Sequence, residues 1–255
     1  MRRRQLLALG LSLPLAARNA FAEGSRYRVA LADGGLHDGR RFAGLVVDLD
    51  DGWKTYWRMP GEAGIPPDFN WSASRNVQAI EVLYPLPHRL ANASGETVGY
   101  EHKVVFPVMV TPVDDAQPVD LALDLFFAVC KDICIPAKAK ALLTLTPQGS
   151  PGGMVADWIR QVPAVATAPL PVSASTLALE SGKPVLLLSL SRPVDDIFVE
   201  SQTPAYFRKP VFSADGFSAR LEIDNVSGNV KLSGEVLKLT LSQAGTGLEQ
   251  TVTLD

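Results

Sequence analysis

Two cysteines, Cys130 and Cys134, are the residues of this 255-residue chain that point most directly to chemistry. A thiolate attacks a disulfide without a metal, a nucleotide or a separate base, so a close cysteine pair is enough for thiol:disulfide exchange. Lys131 would raise the thiolate fraction of its neighbour Cys130, whereas Asp132 opposes that effect. We therefore predict that Cys130 and Cys134 are the catalytic pair of a dithiol/disulfide couple, and which of them attacks first stays open.

Two other roles for the pair stay open as well. A structural bridge that closes a loop of about five residues would contribute roughly 2 kcal/mol, against about 3 kcal/mol for fifteen residues, so a staple here gains little stability. Thiolates also bind soft ions such as Cu(I) and zinc, but a closed zinc site takes four ligands. His37, His88 and His102 are scattered along the chain. We expect no cofactor and no resident metal, with Cu(I) binding as the alternative.

The elements that must position the pair are short strands. Apolar and polar residues alternate from Val119 to Val129, which is typical of a strand with one buried face. Similar runs occur at 27–31, 45–49, 104–110, 141–145, 185–190, 219–223 and 236–241. Turn signals such as Asp51-Gly52 separate the runs, so the sequence predicts an all-β sandwich fold.

The connection between Val129 and Ala141 carries both cysteines. Pro136 within it lacks a backbone donor and resists placement in a central strand. We therefore expect a hairpin loop or a helical turn at the pair. Side chains four apart lie on one face of a helical turn, so either geometry would bring the sulfurs together.

A change of pattern near residue 152 predicts a domain boundary. Apolar residues at helical spacing indicate a short amphipathic helix from Gly152 to Val162, and the proline-bounded stretch 163–169 suits a linker. We predict a first β-sandwich at 23–150, the helix and linker at 151–169, and a second β-sandwich at 170–255.

The first 22 residues predict export. Arg2-Arg3-Arg4 precede an apolar run from Leu6 to Ala17, and small residues flank a cut site after Ala22, as in a secretory signal peptide. Twelve apolar residues are too few to span a bilayer core of about 30 Å, although a retained amphipathic anchor is the alternative. Arg3-Arg4 also fits a twin-arginine signal, so Sec or twin-arginine export stays open. We expect a periplasmic protein without stable membrane insertion.

Three segments resemble one family in the same order. Residues 129–136 resemble the redox loop of the amino-terminal periplasmic domain of the DsbD family, particularly its ScsB-like branch. Residues 52–71 resemble the tryptophan- and proline-rich stretch of that branch, and residues 99–108 are similar to the strand lead-in between the two. Residues 195–200 resemble the companion domain of ScsB-like proteins more weakly.

The resemblance implies two immunoglobulin-like β-sandwich domains joined by the short helix and linker. It also implies that Cys130 and Cys134 form the site of a thiol:disulfide oxidoreductase of the protein-disulfide reductase type, shielded by a loop near 95–100. The family's membrane helices and thioredoxin-like domain are not in this sequence. We therefore expect a membrane thiol reductase on a separate chain and periplasmic thioredoxin-like oxidoreductases as partners.

Several features limit that expectation. DsbD proper has a longer gap between its cysteines, so potential and partner choice are expected to differ. A non-catalytic interaction or copper-tolerance module on the same scaffold is the alternative function. The net charge of -3 gives no broad attraction to phosphate, so we expect no nucleic-acid partner. Four aromatic residues are predicted to pack in the core, with partner docking as the alternative: Trp53, Tyr56, Trp57 and Trp71.

Overall fold

The computed structural model describes residues 22–24, 26–61, 64–92, 95–149, 153–224 and 232–254. The predicted signal peptide lies outside these residues except for Ala22. The described chain is nearly all β, arranged in two sandwich-like parts, so the predicted all-β fold is confirmed. Across the described ranges, no helix is long and apolar enough to cross a membrane.

The first part contains two sheets that enclose one core. Its strands are β1 (Ala22–Gly24), β2 (Tyr27–His37), β3 (Arg40–Leu49), β4 (Lys54–Tyr56), β5 (Asp68–Asn70), β6 (Val77–Val82), β7 (His88–Asn92), β8 (Gly95–Glu101), β9 (Lys103–Pro112), β10 (Val119–Cys130) and β11 (Cys134–Leu145). One sheet has the order β1-β2-β3-β9-β6, and the other has the order β11-β10-β4-β8-β7 with β5 beside β10. Side chains from both sheets meet in the core, including Leu45, Val47, Leu125 and Phe127.

The alternation that predicted β10 is the reason for its position in this core. Every second side chain from Val119 to Val129 is at most 3% exposed, and Asp120 and Asp124 between them face outward. Each Å² of apolar surface that the strand removes from water stabilises the fold by about 25 cal/mol. This register is therefore favoured over one shifted by one residue, which would turn the apolar face outward.

The second part is built in the same way. Helix α1 (Gly153–Ile159) precedes it along the chain, and its strands are β12 (Ala164–Val165), β13 (Val172–Glu180), β14 (Lys183–Leu190), β15 (Asp196–Glu200), β16 (Tyr206–Phe207), β17 (Val211–Phe212), β18 (Ser218–Asp224), β19 (Val236–Gln243) and β20 (Thr246–Thr253). The sheets have the orders β12-β20-β19-β15 and β13-β14-β18-β16, and β17 pairs with β18. Leu186, Leu221 and Leu237 belong to a separate core between them.

The predicted helix and linker connect the parts more firmly than a free linker would. Helix α1 buries Val155 against Val46 and Val105 of the first part, and Trp158 and Ile159 pack against the same cluster. Beyond it, β12 pairs in parallel with β20, so residues predicted as linker form an edge of the second part. The domain boundaries themselves stay predictions.

Ion pairs join the two parts close to β4. Arg58 donates to Glu200 at 2.6 and 2.7 Å and to Glu249 at 2.6 Å. Phe198 of β15 packs against the ring of Trp57 and belongs to the core of the first part. The segment directly after β4 is therefore held by side chains of the second part.

Candidate functional site

The two cysteines close the β10–β11 hairpin. The strands pair from Val119 opposite Leu145 to Cys130 opposite Cys134, and the residues 131–133 form the connecting loop. The cysteines are joined as a disulfide, with their Cα atoms 4.1 Å apart. Directly opposed residues in an antiparallel pair project from the same face, so the hairpin itself brings the sulfurs together. The predicted hairpin is confirmed, and the helical-turn alternative is wrong.

Pro136 lies inside β11, opposite Ala128, rather than in a loop. The strand begins at Cys134, seven residues before the predicted start at Ala141. It can include Pro136 since β11 is the outermost strand of its sheet. A proline is tolerated in an edge strand, where its missing donor would face away from the sheet. Pro136 correctly excluded a central strand, but a proline is compatible with an edge strand.

The two halves of the disulfide differ in exposure. Cys130 is 1% exposed, whereas Cys134 is at the surface beside Ile133, which is 69% exposed. Because β10 continues inward between two neighbouring strands while β11 is at the edge, the asymmetry follows from the sheet order. A thiolate from another protein can approach Cys134 but not Cys130.

A buried tyrosine contacts the exposed half of the pair. The Tyr56 hydroxyl is 2.9 Å from Cys134 Sγ, and its side chain packs with Ala128 and Cys130 under Ile65. Burial raises the pKa of Tyr56 above its ordinary value, so the hydroxyl stays protonated at neutral pH. It is therefore available to donate a hydrogen bond to the sulfur.

Short-range contacts fix the strand that carries this tyrosine. Thr55 Oγ1 donates to the carbonyl of Ala128 at 2.9 Å, which ties β4 to β10 near the cysteines. At the hairpin tip, Lys131 Nζ donates to the Asp51 carbonyl at 3.3 Å. Gly52 there has φ 78°, and a Cβ atom on it would lie 3.0 Å from Lys131 Cε, so the turn and the lysine side chain fit closely.

The sequence placed the aromatic residues correctly but missed the role of one of them. Tyr56 and Trp57 are fully buried, and Trp53 and Trp71 pack on the core from its edge. Tyr56 ends β4 and Trp57 directly follows it, and the two side chains pack in different clusters, Tyr56 with Cys130 and Trp57 in the core of the first part. Only the pairing of β4 with β10 places Tyr56 beside the disulfide. Strand pairing between segments more than 70 residues apart left no signal in the sequence.

The segment 95–100, expected to be a shielding loop, belongs to strand β8. Strand β4 separates it from β10 in the sheet, so the expectation is wrong. Its residues 97–100 are buried, and Tyr100 donates its hydroxyl to the Pro85 carbonyl at 2.8 Å. The segment is a strand inside the sheet, between β4 and β7, and its last residues are buried there.

The contacts of His37 and His102 are with residues other than the cysteines. His37 contacts the Gly34 carbonyl through Nε2, and His102 is exposed with Asp51 3.9 Å from its Nδ1. Among the described residues, no three histidine, cysteine or acidic side chains are grouped as metal ligands.

Fold and site together define a two-sandwich β protein with a disulfide-forming cysteine pair at the tip of an edge hairpin. Residues 28–146 match the family model described as "Thiol:disulfide interchange protein DsbD, N-terminal". The match covers most of the first sandwich, which is therefore similar to the DsbD amino-terminal domain family, and that family implies interaction with other thiol-redox proteins. The family supports a thiol:disulfide interchange role.

The likeness to a solved structure extends over both sandwiches. The N-terminal periplasmic domain of ScsB from Proteus mirabilis is similar, with a TM-score of 0.71 and 23% identity over 92% of this chain and 97% of that one. At this identity the likeness shows the fold alone. The YadV chaperone aligns with 8% identity over 89% of this chain and 99% of its own, but its TM-score of 0.26 supports no argument. The comparison with curated proteins found no match.

Proposed function

We propose that the protein is a periplasmic thiol:disulfide oxidoreductase that passes reducing equivalents between a membrane thiol reductase and envelope clients. The observation that carries the proposal is the asymmetric disulfide: Cys134 at the surface and Cys130 beneath it, at the tip of the hairpin in a DsbD-family domain. A dithiol/disulfide couple needs one sulfur that partners can reach and a second that closes the bond within the chain.

Loading of the protein begins at the exposed sulfur. A thiolate of the reductase attacks Cys134 Sγ, the bond to Cys130 breaks, and its electron pair leaves on Cys130 as a thiolate. A second thiolate of the reductase then attacks its own sulfur in the mixed disulfide and releases Cys134 as a thiolate. Two electrons have passed to this chain, and the reductase holds the new disulfide.

Delivery runs through the same atoms in reverse. The Cys134 thiolate attacks a client disulfide, and the client's other sulfur leaves as a thiolate. Cys130 then attacks Cys134 Sγ, which releases the reduced client and restores the disulfide. The Tyr56 hydroxyl, 2.9 Å from Cys134 Sγ, favours the attacking thiolate by donating a hydrogen bond to it.

Periplasmic location is part of the same proposal. Structural and catalytic disulfides persist in oxidising compartments, and the basic and apolar start of the chain is typical of an exported protein. Partners with a thioredoxin-like fold are proposed because the family works with other thiol-redox proteins.

Single cysteine variants test the proposal in envelope extracts. Cys130→Ser leaves the exposed attacker without its resolving partner, so we expect stable mixed disulfides with thioredoxin-like proteins, visible on non-reducing gels. Cys134→Ser keeps only the buried sulfur, and we expect no such adducts. Failure of Cys130→Ser to trap any partner, while both variants stay folded by circular dichroism, would refute the exchange function.

A further inference from the structure

One lysine lies in line with the cysteines across the sheet. Strand β4 is between β10 and β8, and Lys54 is directly opposite Cys130 on one side and Glu101 on the other. Since Cys130 is also opposite Cys134, we call these four residues the cysteine row: Cys134, Cys130, Lys54 and Glu101. Opposed residues in antiparallel strands share a face, with Cβ atoms about 4.5 to 5.5 Å apart.

Lys54 is buried beside the buried half of the disulfide. It is 4% exposed and Cys130 is 1% exposed, whereas Cys134 and Glu101 at the ends of the row are exposed. Burial lowers the pKa of Lys54, and the charge of Glu101 partly opposes that shift. Among the described residues, the ammonium of Lys54 has no side-chain hydrogen bond or ion pair, and Glu101 is the charge that acts on it.

A positive charge beside Cys130 would assist the opening of the disulfide. When Cys134 is attacked, Cys130 must leave as a thiolate in a water-poor site, and burial alone raises the pKa of a thiol and makes it a poorer leaving group. An opposite charge within about 4 to 6 Å favours the ionised form. The exposed Cys134 has water and the Tyr56 hydroxyl instead.

We propose that Lys54 is a positioning residue for exchange, whose ammonium stabilises the Cys130 thiolate each time the disulfide opens. The lysine transfers no proton and forms no bond; it acts only through its charge on the departing sulfur. This inference rests on the proposed function, because the thiolate of Cys130 matters only if the bond opens during turnover.

Lys131, the nearer lysine in sequence, is a weaker candidate. Its residue is exposed, and its Nζ donates to the Asp51 carbonyl. Charges in water are screened, whereas a buried charge acts with less screening. Other titratable groups lie near the cysteine row. Tyr56 and Cys134 are on the same face, Glu101 is on β8, Asp51 and Asp132 are near the tip, and His102 is next to Glu101 and 3.9 Å from Asp51.

The test measures the thiol of Cys130 directly. In the full chain carrying Cys134→Ser, thiolate absorbance at 240 nm is followed against pH, with and without Lys54→Met. We expect Lys54→Met to raise the thiol pKa of Cys130 by at least about one unit, a tenfold loss of thiolate at a given pH. Lys54→Arg should restore most of the shift, and Lys140→Met, an exposed lysine on the same hairpin, should leave it unchanged.

A kinetic readout uses the intact disulfide. Reduction by dithiothreitol should slow about three- to tenfold in Lys54→Met and recover in Lys54→Arg, because a leaving thiol of higher pKa departs more slowly. If Lys54→Met fails to fold, Lys54→Gln takes its place in both assays. The proposal is overturned if, in a folded Lys54 variant, the thiol pKa of Cys130 stays within about 0.3 unit and the reduction rate within about twofold of the parent values.

Failure of the two proposals is distinguishable. If Cys130→Ser traps no partner but Lys54→Met still raises the thiol pKa of Cys130 in the Cys134→Ser background, the exchange function is wrong and the charge effect stands. If trapping succeeds and the thiol pKa does not respond, the function stands and the role of Lys54 is wrong.

Discussion

Two long hairpins, one in each sandwich, close their ends in different ways. Strands β19 and β20 are joined by Ala244 and Gly245, both at positive φ, 49° and 77°. Two such residues form the turn whose twist matches that of the strands. The β10–β11 hairpin instead ends in Cys130 and Cys134 around a three-residue loop, and none of the loop residues has a positive φ.

The two hairpin tips differ in their capacity for chemistry. The second hairpin is closed by backbone preference and has no nucleophile at its tip. The first is closed by a covalent bond that exchange can open, with a tyrosine and a lysine on the strand beside it. The first sandwich therefore positions the hairpin tip through β4. The second sandwich contributes because its Glu200 and Glu249 bind Arg58, two residues after Tyr56.

The largest effect is expected from a substitution that removes the ion pairs between the sandwiches. Arg58→Ala removes the partner of Glu200 and Glu249 and leaves two partly buried carboxylates facing each other, although Lys238 still pairs with Glu249 at 2.7 Å. Loss of one partner of a buried pair costs about 3 kcal/mol. We expect a loss of that size in the free energy of unfolding by urea.

Arg220→Ala is the matched control, because Arg220 pairs with Glu180 and Glu222 in a more exposed network within the second sandwich. It should have a much smaller effect. Equal losses in the two variants would mean that the junction contributes no more than a surface pair and that each sandwich is stable by itself.

The next largest effect is expected at alkaline pH, which should destabilise the first sandwich more than the second. Burial raises the pKa of Tyr84 to about 12, and complete burial raises that of Tyr100 well above its ordinary value. Unfolded tyrosines ionise near pH 10, so the stabilising effect is complete below about pH 10 and is lost as the pH rises towards 12. Each such tyrosine should reduce the free energy of unfolding by about 1.4 kcal/mol per pH unit in that range.

Hydrogen exchange at pH 8 and pH 11, corrected for the intrinsic rate, checks this prediction. Amides of the first sandwich should lose protection before those of the second, where Tyr206 is the one tyrosine of the sequence beyond residue 170. Tyr84→Phe should reduce the alkaline loss. Titration of all five tyrosines near pH 10 in the folded protein would contradict the account.

A smaller effect is expected from Tyr56→Phe, which removes one hydroxyl from the reactive tip. The lost hydrogen bond to Cys134 Sγ is worth about 1 kcal/mol, so exchange with a client disulfide should slow about fivefold while the unfolding free energy changes little. Because the raised pKa keeps Tyr56 protonated, the fold-change should be constant from pH 6 to 9. A ratio that varies across that range, or an unchanged rate, would show that the hydroxyl does not assist the sulfur.

Much of this arrangement could be predicted from the sequence, because it depends on local patterns. Alternation located β10, and the spacing of Cys130 and Cys134 located the disulfide. The cysteines' neighbours across the sheet could not be predicted, because Lys54 and Tyr56 meet them through pairing of β4 with β10, which depends on the whole fold. Phe198 likewise belongs to the core of the first part although its strand belongs to the second.

The reduction potential of the Cys130–Cys134 pair tests the central claim most directly. Equilibration of the full chain with glutathione buffers, followed by alkylation and mass spectrometry, measures it. If the hairpin tip is a working exchange site, the potential should lie between about -120 and -270 mV, the range of redox catalysts. A potential below about -300 mV would mark an inert structural bridge and contradict the account.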